Sequence, residues 1–280
     1  MSPIRSLLVH LDAGWHSMER LALARTLAAQ HESRLRALLA LEPRFVPLPL
    51  PMEAGGLPAA PLLDEVDTRH RMLAKARFDR AVSGAGWPVQ WCELGDEPPI
   101  PGFASQALHA DLVVLGQHDR DDADAFDVPS DFVPSVVVAS GRPALVVPRH
   151  ASEPFQGFGT VLVAWQACRE AARALDAALP LLQGAREVHV VTWSDDDAGL
   201  VLQQQEVADH LALHGVHGVR CHRGQVPLDA GTALLTLCEG LGADLLVMGC
   251  YGHSRARELV LGGASRTVLR DARLPVLMAH

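Results

Sequence analysis

Short apolar runs alternate along this chain with longer stretches whose apolar residues recur at helical spacing. Residues 4–11 form the first apolar run and end at Asp12, residues 18–30 have the helical spacing, and residues 34–41 form a second run. This alternation predicts buried parallel strands connected by helices. Three further apolar runs bring the first part of the chain to five predicted strands: residues 88–94, 111–116 and 143–148.

The same order of predicted elements begins again after a linker at residues 149–158. Residues 243–249 (Ala-Asp-Leu-Leu-Val-Met-Gly) align with residues 110–116 (Ala-Asp-Leu-Val-Val-Leu-Gly), and Pro275 aligns with Pro143. The offsets of these two alignments differ by a single residue, so they describe one repeat. We therefore predict an α/β fold of two tandem, Rossmann-like domains, residues 1–150 and 155–280. Each would contain a doubly wound, five-stranded parallel sheet.

Glycines cluster after the fourth predicted strand of the second half. This strand ends at Met248-Gly249, and Gly252 follows after two intervening residues. After nine more residues comes a Gly262-Gly263 pair, which directly precedes a predicted helix. Glycines at a strand end and at a helix start let the backbone approach a ligand and leave N–H groups for an anion. Ligands of doubly wound sheets bind beyond the carboxyl ends of the strands, so we predict a phosphate site here.

Composition and charge exclude several classes of protein. The chain of 280 residues is 49% hydrophobic and 20% charged, as globular domains are, and its net charge of −9 argues against a nucleic-acid partner. No apolar run approaches the roughly 18–20 residues of a membrane span, so we expect a cytoplasmic protein without a membrane partner. The five cysteines show no paired spacing, and the single lysine, Lys75, forms no Gly-Lys-Ser/Thr phosphate loop.

With this glycine spacing inside a repeated α/β domain, the chain resembles the universal stress protein family in its tandem two-domain form. Nucleotide-binding members carry Gly-x2-Gly-x9-Gly-Ser/Thr after the fourth strand, and Gly249, Gly252 and Gly262 match that motif. The resemblance covers essentially the whole chain. It implies a stress-response regulator that binds ATP, with or without Mg²⁺. Adenosine would lie near the first two strands of the second half, and the phosphates on the glycine loop.

The second half departs from the family pattern at two positions. Gly263 stands where the family has Ser or Thr, which removes one hydroxyl hydrogen bond, about 0.5–1.5 kcal/mol net. Gln166 replaces the aspartate that commonly follows the first strand and brings no charge. The N–H groups at the start of the helix remain available. The predicted nucleotide-binding residues are Trp165, Gln166, Trp193, Met248, Gly249, Gly252, His253, Gly262, Gly263, Ala264 and Ser265.

Several polar and aromatic residues also have a purely structural interpretation. Trp165 and Trp193 either wall an adenine pocket or cap the sheet as large apolar residues. His253 either neutralises a bound phosphate, together with the arginines that follow it, or lies on an exposed loop. His210 and His214 share a predicted helical face, as two zinc ligands would. No third ligand has a motif spacing, so we expect both to be exposed.

The first half has lost most of the glycine pattern. Gly116 remains, but Asp119 stands in place of the second glycine, and Ser130-Asp131 align with the glycine pair. Carboxylates oppose a bound triphosphate, so we predict a degenerate nucleotide site in this half. The acidic loop of residues 119–131 either holds a divalent cation or, as we favour, is solvated. The Pro-rich residues 43–61 either contact a partner in extended form or pack over the domains.

No residue pattern requires catalysis, and slow ATP hydrolysis is the most that we expect, because no general base is identifiable. A second interpretation is a nucleotide-independent interaction module with vestigial sites. Gln166 and Gly263 favour it, and the intact glycine spacing opposes it. A third, an adenylating enzyme, lacks the pyrophosphate loop that it would need after the first strand. We expect the halves to pack as an internal pseudo-dimer, and homodimerisation through apolar edge strands is a further hypothesis.

Overall fold

The structure is a computed structural model that describes residues 4–42, 59–84, 86–95, 97–119, 121–122, 127–149, 155–195, 197–250 and 263–280. In these ranges the chain alternates between strands and helices, as predicted. The strands are β1 (Ser6–Leu11), β2 (Arg34–Leu39), β3 (Val89–Glu93), β4 (Leu112–Gly116), β5 (Ala144–Val147), β6 (Thr160–Ala164), β7 (Glu187–Trp193), β8 (Arg220–Gly224), β9 (Leu245–Gly249) and β10 (Val276–Ala279). The helices are α1 (His16–His31), α2 (Ala59–Val82), α3 (Pro99–Ala107), α4 (Phe132–Ser140), α5 (Arg169–Leu182), α6 (Asp197–Leu213), α7 (Ala230–Leu241) and α8 (Ala264–Asp271).

All ten strands belong to one sheet, in the order β3-β2-β1-β4-β5-β10-β9-β6-β7-β8. The predicted α/β class is confirmed, with one correction: the two expected five-stranded sheets are continuous. They join where β10 pairs antiparallel with β5, Val276 opposite Val146, whereas the other neighbouring strands are parallel. Both joining strands are buried along their whole length, so their pairing covers two apolar edges.

The same aspartate arrangement begins the fourth strand of each half. Asp111 Oδ2 accepts hydrogen bonds from the backbone N–H groups of Arg5 and Ser6, at 2.8 and 2.9 Å. Asp244 accepts the equivalent bonds from Gly159, at 2.9 Å, and from Thr160, at 3.2 Å. These bonds fix the start of β4 beside β1 and the start of β9 beside β6. They explain why Ala-Asp-Leu occurs at both aligned positions.

Helices cover both faces of the sheet. One apolar cluster contains buried side chains of α1, α2, α5 and α6, and the other contains those of α3, α4, α7 and α8. Successive strand residues alternate between the clusters, as Leu7 and Leu8 do, because side chains of a strand point to opposite faces. Burial on both faces explains the continuous apolar runs. Of the Pro-rich residues 43–61, residues 43–58 lie outside the described residues, and α2 begins at Ala59, inside that stretch.

Candidate functional site

The carboxyl ends of β6 and β9 lie side by side in the second half. Ala164 is opposite Met248, and Gly249 ends β9 one residue later. Trp165 follows β6 and donates its backbone N–H to the Val191 carbonyl of β7, at 2.8 Å, and the next residue, Gln166, is exposed. The strand order reverses at this point, because β10 and β7 lie on opposite sides of the β9–β6 pair. This reversal of strand order is the place where the sequence predicts a ligand crevice.

Close packing also requires a glycine at position 249, independently of the glycine motif. A Cβ atom on this residue would lie 2.5 Å from the Ala171 nitrogen and 2.6 Å from the Glu170 carbonyl carbon. Both of these are backbone atoms in the first turn of α5, which cannot move away without moving the helix. Only glycine at position 249 lets α5 lie this close to the end of β9.

The N-terminus of α5 already holds a carboxylate. Glu170, in its first turn, is 4% exposed, and its Oε1 accepts bonds from Arg169 Nε and Nη2 at 2.9 and 2.7 Å. Burial alone would raise the pKa of Glu170. Its own backbone N–H and the Arg169 guanidinium outweigh that effect and hold the pKa below its usual value. A second anion would meet this negative charge, so α5 is a poor phosphate site.

Helix α8 begins differently. Its N-cap is Gly263, which makes no side-chain cap hydrogen bond, and the Gly263 carbonyl accepts the Arg266 N–H at 2.8 Å. The first N–H groups of a helix have no acceptor within it, so those at the start of α8 suit an anion. Gly263 has φ +30°, a conformation that strains a residue with a Cβ. Glycine at this position avoids that strain.

Trp165 and Trp193 lie on opposite faces of the sheet. Trp165 packs against the cluster beneath α5 and α6, whereas Trp193 packs against the cluster beneath α7, together with the buried Met248. Gly224 of β8 lies beside the Trp193 ring, where a Cβ would be in ordinary van der Waals contact with Cδ1, at 3.5 Å. The two indoles therefore do not stack against one face of the crevice.

Sequence reasoning missed Thr192. This residue of β7 is 2% exposed, and its Oγ1 is a buried side-chain oxygen without a hydrogen-bond partner among the described residues. Because Ala164 pairs with Val191, Thr192 is the neighbour of Trp165 across the β6–β7 pair, and alternation places both on one face. The signal in the sequence was a single hydroxyl residue within an apolar strand.

Some predicted residues lie outside the described residues. These are Gly252, His253 and Gly262, which belong to residues 251–262. Of the other predicted residues, Gln166, Trp165, Met248 and Gly249 lie at the carboxyl ends of β6 and β9. Gly263, Ala264 and Ser265 lie at the start of α8. Because β10 is parallel to β9 and α8 runs back to the start of β10, the N-terminus of α8 lies at the edge of the sheet where β9 ends.

The equivalent crevice of the first half is filled by the chain itself. The Arg20 guanidinium donates from Nε to the His10 carbonyl at 2.7 Å and from Nη2 to Asp12 Oδ2 at 2.6 Å. Asp12 Oδ1 also accepts the Gly14 N–H at 2.7 Å. A Cβ on Gly116 would lie 1.8 Å from Arg20 Nη1, so the glycine that ends β4 makes room for a buried cation.

Burial and charge control the protonation of this group. Burial alone would raise the pKa of Asp12, but Arg20, His10 and the hydrogen bonds from Arg20 and Gly14 hold it below its usual value. Burial, and then the Arg20 charge, lower the pKa of His10 to about 4. The neutral imidazole contacts the Phe132 ring, with centroids 4.4 Å apart, and its Nε2 lies 3.0 Å from the Ala40 carbonyl.

Carboxylates after β4 close the entrance. Asp122 Oδ2 accepts the Trp15 N–H, just before α1, at 2.9 Å, and Asp119 lies 3.6 Å from His16 and 3.8 Å from Arg149. The cavity that remains measures about 30 Å³ and has room for roughly one or two waters. The expectation of a solvated loop is wrong for these carboxylates, since they pair with the chain.

The described residues provide no set of metal ligands for the cation hypothesis at residues 119–131 or the zinc hypothesis at His210 and His214. Within the described ranges, no group of three or more His, Cys, Asp or Glu side chains is arranged to hold a metal ion. The rings of His210 and His214 lie 4.7 Å apart, and His210 Nε2 is 3.5 Å from Asp176 Oδ1. No helix in the part of the chain that the structure describes is long and apolar enough to cross a membrane.

Comparison with known proteins bears on both halves. The model of the universal stress protein family matches residues 157–280. A universal stress protein from Synechocystis sp. is 46% identical over 48 residues, which span 17% of this chain and 17% of that relative. This match covers less than a fifth of the curated relative.

Solved structures share the fold over nearly the whole chain. A universal stress protein from Archaeoglobus fulgidus DSM 4304 has a TM-score of 0.65 at 16% identity, covering 97% of this chain and 94% of its own. A functionally unknown protein from Pseudomonas aeruginosa PAO1 has a TM-score of 0.56 at 17% identity, covering 98% and 92%. Over residues 157–280, which make up most of its second half, this chain is therefore similar to the universal stress protein family.

Proposed function

We propose that the second half binds ATP, or a related adenine nucleotide, across the carboxyl ends of β6, β7 and β9. The observation that carries this proposal is the start of α8. Its N-terminus, capped only by Gly263, opens at the edge of the sheet where β6 and β9 end. The motif spacing of Gly249, Gly252 and Gly262 supports the same location.

The triphosphate would bind at α8. The helix dipole places the equivalent of about half a positive charge at this end, and the N–H groups of Gly263, Ala264 and Ser265 are the donors. The buried Glu170 carboxylate disfavours the competing N-terminus of α5. By their place in the sequence, Gly252, His253 and Gly262 would complete the phosphate loop.

The base would bind near β6 and β7. Leaving a buried hydroxyl unsatisfied costs about 1–3 kcal/mol, so a ligand atom that bonds Thr192 Oγ1 would recover part of this cost. Trp165 lies on the same face of the sheet as Thr192. The exposed Gln166 amide is uncharged and can both donate and accept hydrogen bonds. Trp193 and Met248 would form the opposite wall.

Binding without catalysis fits the described groups best. Glu170, the carboxylate beside Gly249, is bonded to Arg169 and is not placed as a free base. We therefore propose that any Mg²⁺ arrives with the nucleotide and that hydrolysis, if present, is slow. In this proposal the protein is a cytoplasmic stress-response regulator.

The first half would serve as a structural or interaction domain. We propose that residues 1–150 and 155–280 form two domains that pack as an internal pseudo-dimer. The strand order, which reads the same outward from the β5–β10 pair in both directions, supports this arrangement. The filled first crevice favours the second candidate function, a nucleotide-independent interaction module, for this half of the chain.

Calorimetric titration of ATP into wild type and two variants at Ala264 tests the proposal. Ala264→Asp places a carboxylate in the first turn of α8, which a helix N-terminus tolerates but a triphosphate does not. Two unit charges 4 Å apart interact by about 4 kcal/mol near a protein surface, so we expect ATP binding to weaken on the order of a hundredfold or more.

Ala264→Asn is the matched control, because it has nearly the same shape without the charge, and it should bind close to wild type. Absence of saturable binding by the wild type at millimolar ATP would reject the proposal. Equal weakening by both variants would show that space, rather than charge, was disturbed.

A further inference from the structure

The side chain of Gln117 connects the first half to the C-terminus of α8. Gln117 directly follows Gly116 at the end of β4, and its Nε2 lies 3.0 Å from the Leu269 carbonyl and 2.8 Å from the Arg270 carbonyl. The Ala272 carbonyl lies at 3.4 Å. Gln117 Oε1 in turn accepts the Arg149 N–H at 3.1 Å. Both ends of this amide are therefore engaged.

The C-terminus of α8 receives side-chain donors in addition to its own cap. The helix has eight residues, about two turns, and isolated helices of this length are unstable in water. The equivalent α4 ends with its own glycine cap, Gly141, whose left-handed conformation directs its N–H to the Val137 carbonyl at 3.1 Å. The C-cap of α8, Ala272, is extended, and its N–H likewise donates to the Val268 carbonyl, at 2.9 Å; in addition, the Leu269 and Arg270 carbonyls receive donors from Gln117.

The equivalent position in the second half holds a cysteine. Cys250 follows Gly249 as Gln117 follows Gly116, but its thiol points to the Ala279 carbonyl, at 3.4 Å. A cysteine thiol has no amide donors to give to the end of α4. Among the described residues, this amide contact therefore joins the first half to α8 and has no amide counterpart at Cys250.

The same segment contacts the filled crevice of the first half. Arg149, whose N–H binds Gln117, has its Nη1 3.8 Å from Asp119 Oδ1, and Asp119 lies against His16 at the start of α1. Asp119, at the entrance of the first crevice, is thus three contacts away from α8.

We propose that Gln117 is a positioning residue for the phosphate site of the second half. By satisfying the last carbonyls of α8, it keeps the first turn of that helix formed and its N–H groups aimed at the ligand. The first half thereby regulates nucleotide affinity in the second. This inference rests on the proposed function.

The first test needs no nucleotide. Hydrogen exchange of the α8 amides is measured in the full chain for wild type, Gln117→Leu and Gln117→Lys. The leucine variant should exchange about tenfold faster, because the carbonyls lose their donors, whereas the lysine ammonium can still donate to them and should restore protection. The amides of β9 should not change, which separates this role from a general loss of stability.

Gln90→Leu is the matched control. It removes a glutamine whose Oε1 accepts from Arg34 at 2.7 Å, on the far edge strand β3. This variant should leave exchange in α8 as in wild type. Unchanged exchange in Gln117→Leu, or equal acceleration throughout the sheet, would overturn the proposal.

The second test measures the ATP dissociation constant of the same proteins. Gln117→Leu should weaken binding about three- to tenfold, Gln117→Lys should remain near wild type, and Gln117→Glu should bind weakest because it places a carboxylate among carbonyls. Looser α8 with unchanged ATP affinity would overturn the positioning role. If wild type fails to bind ATP, the proposed function is rejected. The exchange measurement then still decides whether Gln117 holds α8.

Discussion

The two crevices of this sheet occupy equivalent places and differ mainly in charge. In the first half, Asp12 follows β1 and Arg20 lies eight residues later, both buried and bonded to each other. In the second half, Gln166 follows β6 and Ala174 lies eight residues later, the first exposed and the second buried. The first crevice therefore contains a cation and an anion of the chain itself, Arg20 and Asp12. The second has a small residue, Ala174, and a neutral one, Gln166, at the equivalent positions.

This difference shows that loss of glycines is only part of how a phosphate crevice degenerates. Gly116 remains in the first half, yet the Arg20 guanidinium covers it, and Asp122 binds the N–H before α1. The chain thus supplies its own anion to a helix start, as a ligand phosphate would. To bind in this crevice, a nucleotide would have to displace the Arg20 guanidinium and the Asp122 carboxylate from their hydrogen bonds.

The largest expected effect comes from removing Arg20. Arg20→Ala introduces the alanine that the second half has at the equivalent position, Ala174. It leaves the Asp12 carboxylate buried without its partner. Breaking a buried pair in this way costs about 3–5 kcal/mol, and we expect the free energy of unfolding, measured with urea, to fall by this amount.

The double variant Asp12→Gln/Arg20→Ala sharpens the comparison. It reproduces the Gln166 and Ala174 of the second half and leaves no uncompensated charge, so it should lose less stability than Arg20→Ala alone. A double variant as unstable as the single one would show that Arg20 acts through packing and its bond to the His10 carbonyl, rather than through the ion pair.

A smaller effect is expected from the pH dependence of the first crevice. Because the pKa of His10 is lowered from 6.5 to about 4, the unfolded chain binds a proton that the folded chain does not bind between these values. The contribution of neutral His10 to stability is complete above pH 6.5 and is lost as the pH falls toward 4. The shift corresponds to about 3 kcal/mol.

His10→Phe removes this proton and should flatten the stability profile between pH 6.5 and 4, although it loses the contact with the Ala40 carbonyl. Urea denaturation at several pH values measures the slope. His217→Gln, at an exposed position before β8, controls for the loss of a histidine elsewhere. A slope of wild-type size in His10→Phe would contradict the assignment.

The sequence was sufficient for the fold because its signals are local and occur twice. Apolar runs, helical spacing and the Ala-Asp-Leu repeat do not depend on long-range contacts. The joining of the two sheets through β5 and β10 depends on which edges meet, and the pattern only shows that both strands are apolar.

The sites were harder to predict, because they depend on contacts between distant segments. Arg20 reads as an ordinary helix residue, and arginine is seldom buried. Its burial follows from Gly116, a residue of another strand. The opposite faces of Trp165 and Trp193 follow from the register of β6 and β7, which no local pattern specifies.

The smallest expected effect concerns Thr192 and has opposite signs in its two measurements. The equivalent position of β2 in the first half is Leu39, so the hydroxyl belongs to the second crevice alone. Thr192→Val removes an unpartnered buried hydroxyl with little change of shape, and we expect the free protein to gain about 1 kcal/mol of stability. If the hydroxyl bonds the nucleotide, the same variant should bind ATP more weakly. Ser33→Ala is the contrasting control, because the Ser33 hydroxyl donates to the Ile4 carbonyl at 2.6 Å, and its loss should destabilise. A destabilised Thr192→Val would show that the hydroxyl is already satisfied, and the proposed place of the base beside Trp165 would lose its main support.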